Sequence, residues 1–116
     1  MDIYNAIDSF AALSQETRLK ALRLLVREEP QGLAAGEIAR RLSVPHNTMS
    51  AHLSVLLRSG WVVSQRRSRS IIYHANLKHM NETIQFLVHD CCANHPEICE
   101  SFMVPQCSCL ETQDEK

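Results

Sequence analysis

Apolar residues recur along this chain with two different periods, and the change of period divides it into elements. Ile3, Ala6, Ile7, Phe10, Ala11 and Leu13 follow helical spacing and predict a short amphipathic first helix. Ser14 is placed to cap a second, ETRLKALRLLVREE, in which Leu19, Leu22, Leu25 and Val26 form one stripe with charges opposite, and Pro30 with Gly32 closes it. GEIARRL predicts a third helix with Ile38, Ala39 and Leu42 inward. After the connector Ser43 and Val44, PHNTMSAHLSVLLRSG predicts a fourth, with Pro45 at the first helical position, Gly60 as C-terminal cap, and Met49, Leu53, Leu56 and Leu57 buried. The period then falls to two: WVVSQRRSRSIIYHA reads as strands over 61–66 and 70–75 around the polar turn Arg67, Ser68 and Arg69. From Lys78 helical spacing returns through Met80, Ile84, Leu87, Val88 and Cys91, and Asn94 with Pro96 ends it.

Short helices joined by a tight connector and followed by an arginine-tipped hairpin make a winged helix-turn-helix: mainly α with a small β-hairpin, an α+β fold. A length of 116 residues with 45% hydrophobic content suits one core. No apolar run reaches the roughly 18 residues a membrane helix needs, and the start MDIYNAIDSF has no basic leader, so a cytoplasmic protein without a membrane partner is expected.

Charge sharpens this outline. Residues 1–80 hold eleven Lys/Arg against six Asp/Glu, whereas residues 81–116 hold one against seven. Between Pro30 and Lys78 the bases Arg40, Arg41, Arg58, Arg66, Arg67, Arg69 and Lys78 face only Glu37. Such a surplus suits a polyanion, although a merely solvated face has the same composition. The fourth helix adds a stripe of Asn47, Ser50, Ala51, Ser54 and Arg58, small and polar enough to fit against base edges and phosphates. With three glycines, no phosphate-cradling loop and no G-x-S-x-G, enzyme chemistry finds no motif here.

The runs LSQETRLKALRLL, PHNTMSAHLSVLLRSGWV and QRRSRSIIYHA resemble the ArsR/SmtB repressors over residues of about 10 to 92. The resemblance implies a bacterial homodimer, joined through its first and last helices, that sits on double-stranded operator DNA and leaves it when an inducer binds. It makes residues 45–58 the reading helix and 65–70 the wing. Asn47, Ser50 and Ala51 then read bases with His46 and Thr48 beside them. Arg40, Arg41, Ser54, Arg58, Arg66, Arg67 and Arg69 hold phosphates. Residues 1–92 form the DNA-binding and dimerisation domain, and residues 93–116 a Cys-rich acidic tail. Two departures stand out: Ser68 occupies a wing position where glycine is common, and Trp61 replaces a commoner leucine.

The third helix, GLAAGEIARRL, lacks the cysteines of the family's best known metal box. All five cysteines instead follow residue 90, and in a cytosolic chain they favour free thiols or ligands over disulfides. The pair Cys91-Cys92 followed by Cys99 resembles the arsenite-responsive branch, in which three C-terminal thiols of one chain bind the metalloid. That resemblance nominates arsenite, a methylated As(III) or Sb(III) as inducer, with no organic cofactor; Cys107 and Cys109 form an extra C-x-C outside the resemblance and, with His89 and His95, are lesser candidates for ligands. The chemistry agrees. Neighbouring Cα atoms about 3.8 Å apart fall short of the roughly 4.4 to 6.8 Å of a disulfide. A shared thiophilic ion asks for thiolates on one side. Two alternatives stay open: a Zn(II) or Cd(II) sensor using His89, Cys92, His95 and Cys99, and a thiol redox switch. The bland alternative is that Cys91 merely packs as a small apolar residue.

Overall fold

The computed structural model describes residues 1–91, with side chains to Val88. Its elements run α1 (Ile3–Leu13), α2 (Glu16–Arg27), β1 (Leu33–Ala34), α3 (Ala35–Leu42), α4 (His46–Ser59), β2 (Val62–Arg67), β3 (Ser70–Ala75) and α5 (Leu77–Gln85), then a π-helical segment, Phe86–Cys91. One compact unit covers Met1–Met80 and a second begins at Asn81.

Each expected element forms, and the differences lie at the ends. Asp2 caps α1, its Oδ1 accepting from the Asn5 N–H at 2.8 Å. Ser14 does not cap α2. It closes α1 instead, its hydroxyl donating to the Ala11 carbonyl at 2.8 Å. The α2 cap is Gln15, whose Oε1 accepts from the Arg18 N–H at 2.9 Å, because that side chain can reach back over the first turn. Pro45 likewise stands one place before α4, with extended ψ of 146°, as its N-cap.

The core of the first unit gathers Leu22, Leu25, Ile38, Met49, Leu53, Leu56, Trp61 and Val62. These come from one stripe of each helix and the start of the hairpin, as helical spacing requires. Two members of the expected α2 stripe stay outside it: Leu19 is 44% exposed and Val26 36%. They share an apolar groove with Leu13, Leu22, Trp61 and Met80. Trp61 is the connector of this core. Its Nε1–H donates to the Ser9 carbonyl at 2.7 Å, and its ring meets the His79 ring edge-on at 4.8 Å. His79 Nε2 also lies 2.9 Å from the Ser9 hydroxyl. His79 is therefore half-buried and bonded, as is His74, whose Nδ1 lies 3.1 Å from Glu29 Oε2.

The sheet has the order β1-β3-β2, all antiparallel. β1 is two residues long and escapes period-two reading; it pairs Leu33 with Tyr73 and Ala34 with Ile72. Gly32 makes this pairing possible. Its φ is +71°, and a Cβ there would stand 2.6 Å from the Tyr73 carbonyl oxygen and 2.7 Å from Ile72 Cγ2, so both the backbone conformation and the space demand glycine.

Beyond Gln85 the pattern of α5 changes. The wider turns of the π-helical segment break the α-helical register, so Leu87 is exposed while Val88 is buried; the expected stripe through Ile84, Leu87 and Val88 is not one face.

Gly32→Ala is expected to lower stability by about 2 to 3 kcal/mol in denaturant unfolding, from a left-handed alanine pressed on backbone. A loss below about 0.5 kcal/mol would show that β1 yields freely and does not hold the sheet.

Candidate nucleic-acid interface

The helix-turn-helix is α3, a turn and α4, and a backbone device sets the angle between its helices. Ser43, at φ +56°, is left-handed; its N–H donates to the Arg40 carbonyl at 3.2 Å and the Val44 N–H to the Ala39 carbonyl at 3.0 Å. At the far end Gly60, φ +95°, repeats the pattern: its N–H donates to Leu57 at 3.2 Å and the Trp61 N–H to Leu56 at 3.0 Å. Both are Schellman closures, in which a left-handed residue turns the chain while satisfying the last carbonyls.

Between these turns α4 buries Met49, Leu53 and Leu56 completely and leaves Asn47, Thr48, Ala51, Ser54 and Arg58 exposed, with Ser50 half-buried. The expected polar stripe is therefore present on one face. The Ser54 hydroxyl donates back to the Ser50 carbonyl at 3.1 Å, so its proton is already committed. No side chain caps the N-terminus of α4, which leaves the first-turn N–H groups and the positive end of the helix dipole facing outward. Arg58 lies eleven residues beyond Asn47, roughly 16 Å along the helix axis. It lines a cleft of about 340 Å³ with Asp8, Ala11, Arg18 and Ser59 rather than joining the reading end.

His52 lies on the flank of α4 and is fastened there. Arg18 donates its Nε–H to the Ala12 carbonyl at 2.6 Å, and its Nη1 lies 3.2 Å from His52 Nδ1. Since a guanidinium only donates, His52 Nδ1 accepts, and the ring proton sits on Nε2. The contact joins α2 to α4, a role that sequence spacing does not disclose.

The hairpin projects from the body: every residue from Val63 to Ile71 is exposed. β2 reaches one residue further than expected, so Arg67 pairs with Ser70 and the turn is the two residues Ser68 and Arg69. Ser68 adopts φ +55°, which explains why glycine suits this position and what its absence costs, about 1 kcal/mol of backbone strain. Among the described residues no carboxylate lies within ion-pair distance of Arg58, Arg66, Arg67 or Arg69.

Arg40 and Arg41 differ. Glu37 accepts from Arg40 Nε at 3.0 Å and Nη2 at 2.5 Å, and from Arg41 Nε at 2.7 Å. Glu28 takes Arg41 Nη1 at 3.0 Å. The basic run thus faces a second carboxylate besides Glu37. Hydrogen bonds from both guanidinium groups hold the Glu37 carboxyl down at about 2, against an ordinary 4.5. The spacing of three and four residues from Glu37 to the two arginines carried this signal; Glu28, thirteen residues before Arg41, did not.

The nominated thiols and their secondary ligands, Cys92, His95, Cys99, Cys107 and Cys109, lie outside the described residues, as do the side chains of His89 and Cys91. Among the described residues no helix is long and apolar enough to cross a membrane.

Comparison with known proteins agrees with this geometry. A family model described as a helix-turn-helix domain matches residues 13–65. The transcriptional activator HlyU of Vibrio cholerae is 28% identical over 82 residues, 71% of this chain and 73% of that protein. An ArsR-like transcriptional regulator from Rhodococcus sp. RHA1 superposes with a TM-score of 0.67 at 27% identity, covering 97% of this chain and 95% of its own. The homodimeric winged helix-turn-helix domain of Mb0332 from Mycobacterium bovis gives 0.62 at 22% identity, over 81% and 87% of the two chains, a likeness of fold.

The Glu37 carboxyl is expected to titrate near 2 in an NMR pH series. Because its folded pKa lies below the unfolded value, the ion pairs favour the fold above about 4.5 and lose that effect as pH falls toward about 2. A midpoint at the ordinary value would mean that the two arginines do not hold it in solution.

Proposed function

We propose that the chain is a transcriptional regulator of the ArsR/SmtB winged-helix type, which represses by occupying operator DNA as a homodimer and is released by a metalloid on its C-terminal thiols. The observation that carries the DNA reading is the bare hairpin: Arg66, Arg67 and Arg69 stand on a fully exposed ribbon without neutralising carboxylates among the described residues. Beside it α4 offers an uncapped N-terminus for a phosphate, and Asn47 in its first turn with Ser50 and Ala51 one turn on for base edges.

A second copy completes the arrangement. α1 leaves Ile3, Tyr4, Ile7 and Phe10 exposed, Tyr4 by 75%, an apolar face that association covers. The Mb0332 domain, of the same fold, is homodimeric. A two-fold pair places its reading helices in successive major grooves about 34 Å apart on a palindromic site.

For the inducer, Cys91, Cys92 and Cys99 supply three thiolates to As(III) or Sb(III), a soft centre that takes three sulfur ligands. Cys91 closes the π-helical segment, so a ligand that pulls on the pair acts on a stretch whose hydrogen bonding already departs from the α-helix, and a change there passes to the dimer seam. An allosteric coupling of about 1 to 3 kcal/mol lowers operator affinity roughly 5- to 150-fold. Thiols with pKa near about 8.5 must ionise to bind, so binding releases protons.

Replacing Arg67 or Arg69 with alanine is expected to weaken binding to operator and unrelated duplexes alike, and to flatten the plot of log K against log salt by roughly 0.9 per lost phosphate contact. A loss confined to the operator would make the wing a base reader. Titration of the operator complex with As(III), methylated As(III), Sb(III), Zn(II), Cd(II) and peroxide separates the inducer readings. Release by arsenite is expected to vanish in the Cys91→Ser, Cys92→Ser variant, and its survival there would sink the thiol site.

A further inference from the structure

The basic surface of this protein is not uniform. Six of its arginines fall between Arg40 and Arg69, yet four of them stand without a carboxylate partner among the described residues and two are neutralised. The neutralised two are those on α3. Arg40 and Arg41 carry two positive charges, and Glu37 with Glu28 returns two negative ones, all four linked by bonds of 2.5 to 3.0 Å.

The cluster lies beside the reading end. One turn before Arg40, Gly36 faces the first residue of α4: a Cβ at Gly36 would lie 3.7 Å from His46 Cδ2. Residues four apart share a helix face, so Arg40 continues that face. The pairs are surface pairs, and Arg40 retains 70% of its side-chain exposure. Exposed pairs contribute little to folding. Their consequence is for the field the surface presents: a local charge of zero where the two arginines by themselves would give plus two.

We propose that Glu37, braced by Glu28, withholds Arg40 and Arg41 from the DNA backbone and so limits the sequence-independent part of the affinity for duplex DNA. This inference rests on the DNA-binding reading above. Phosphate contacts carry the sequence-independent part of affinity, whereas base contacts carry the discrimination. A carboxylate that silences two arginines next to the reading helix removes affinity from every duplex equally and leaves the operator's base contacts in place. The ratio of operator to unrelated binding is therefore unchanged, and what Glu37 sets is the strength and the salt dependence of the grip on any duplex.

Glu37→Gln tests this directly, since glutamine keeps the size and helix preference of the side chain and removes its charge. Binding of the full chain to an unrelated duplex and to the operator is measured across a salt series for wild type, Glu37→Gln, Arg40→Ala with Arg41→Ala, and the triple variant; thermal melts confirm folding. The expected result is a salt slope steeper by roughly 0.9 to 1.8 in Glu37→Gln, one to two additional phosphate contacts. Affinity for the unrelated duplex and for the operator rises by the same factor, about 3- to 10-fold, in the same variant, and the triple variant reverses both changes. In wild type, removing the two arginines changes binding less than about twofold. An unchanged slope in Glu37→Gln overturns the proposal, and so does a loss of about 0.9 or more in slope when the arginines are removed from wild type, because they would then already hold phosphates. If wild type itself binds no duplex at any salt, the DNA-binding reading fails and takes this one with it, an outcome distinct from the other two.

Discussion

Everything that can be asked of α4 depends on two peptide units in left-handed conformation. Ser43 and Gly60 terminate α3 and α4 by the same pattern of two carbonyls satisfied from beyond the helix end. The first turn sets the direction in which α4 leaves α3, and the second sends Trp61 back into the core, where its indole bonds to α1 and packs on His79. With both ends so tied, the rotation of α4 about its axis is fixed by the burial of Met49, Leu53 and Leu56. The opposite stripe faces outward as a geometric consequence. Glycine provides the second turn without strain, while serine provides the first at some cost.

Much of this was legible from period alone. Four apolar stripes at helical spacing, then alternation, then a return to helical spacing specify the order of elements and most of the buried residues, because burial of one face is what selects those patterns. The failures are equally physical. β1 has too few residues to show a period, and it exists because Gly32 allows close approach to β3 rather than because of its own side chains. Leu19 and Val26 belong to the α2 pattern yet remain exposed, since a stripe wider than the core it meets leaves its margins uncovered. Ser14 closes α1 and leaves the cap of α2 to Gln15, because either side chain can cap and only the path of the chain decides which helix end each meets.

The candidate interface divides along the same line. The stripe on α4 and the arginines of the hairpin follow from spacing and composition. The inequality among the arginines follows only in part: the spacing of Glu37 to Arg40 and Arg41 signals their pairing, whereas the reach of Glu28 to α3 from the end of α2 leaves no mark in it. Counting charges treats six arginines as alike, whereas the field around a surface is the sum over neighbours in space. The break of register after Gln85 has a similar origin: a sequence stripe assumes one helical pitch, and a π-helical segment changes it.

The hairpin has one more implication. From Val63 to Ile71 no side chain enters the core, so the fold has almost no stake in which residues stand there. Substitutions at the ribbon's tip alter grip on a polyanion without disturbing the packing that makes the domain, and substitutions inside the domain leave the tip's chemistry alone. The two properties can drift independently. A lineage can therefore retune how strongly it holds its target by editing a handful of exposed positions, and keep the same scaffold throughout.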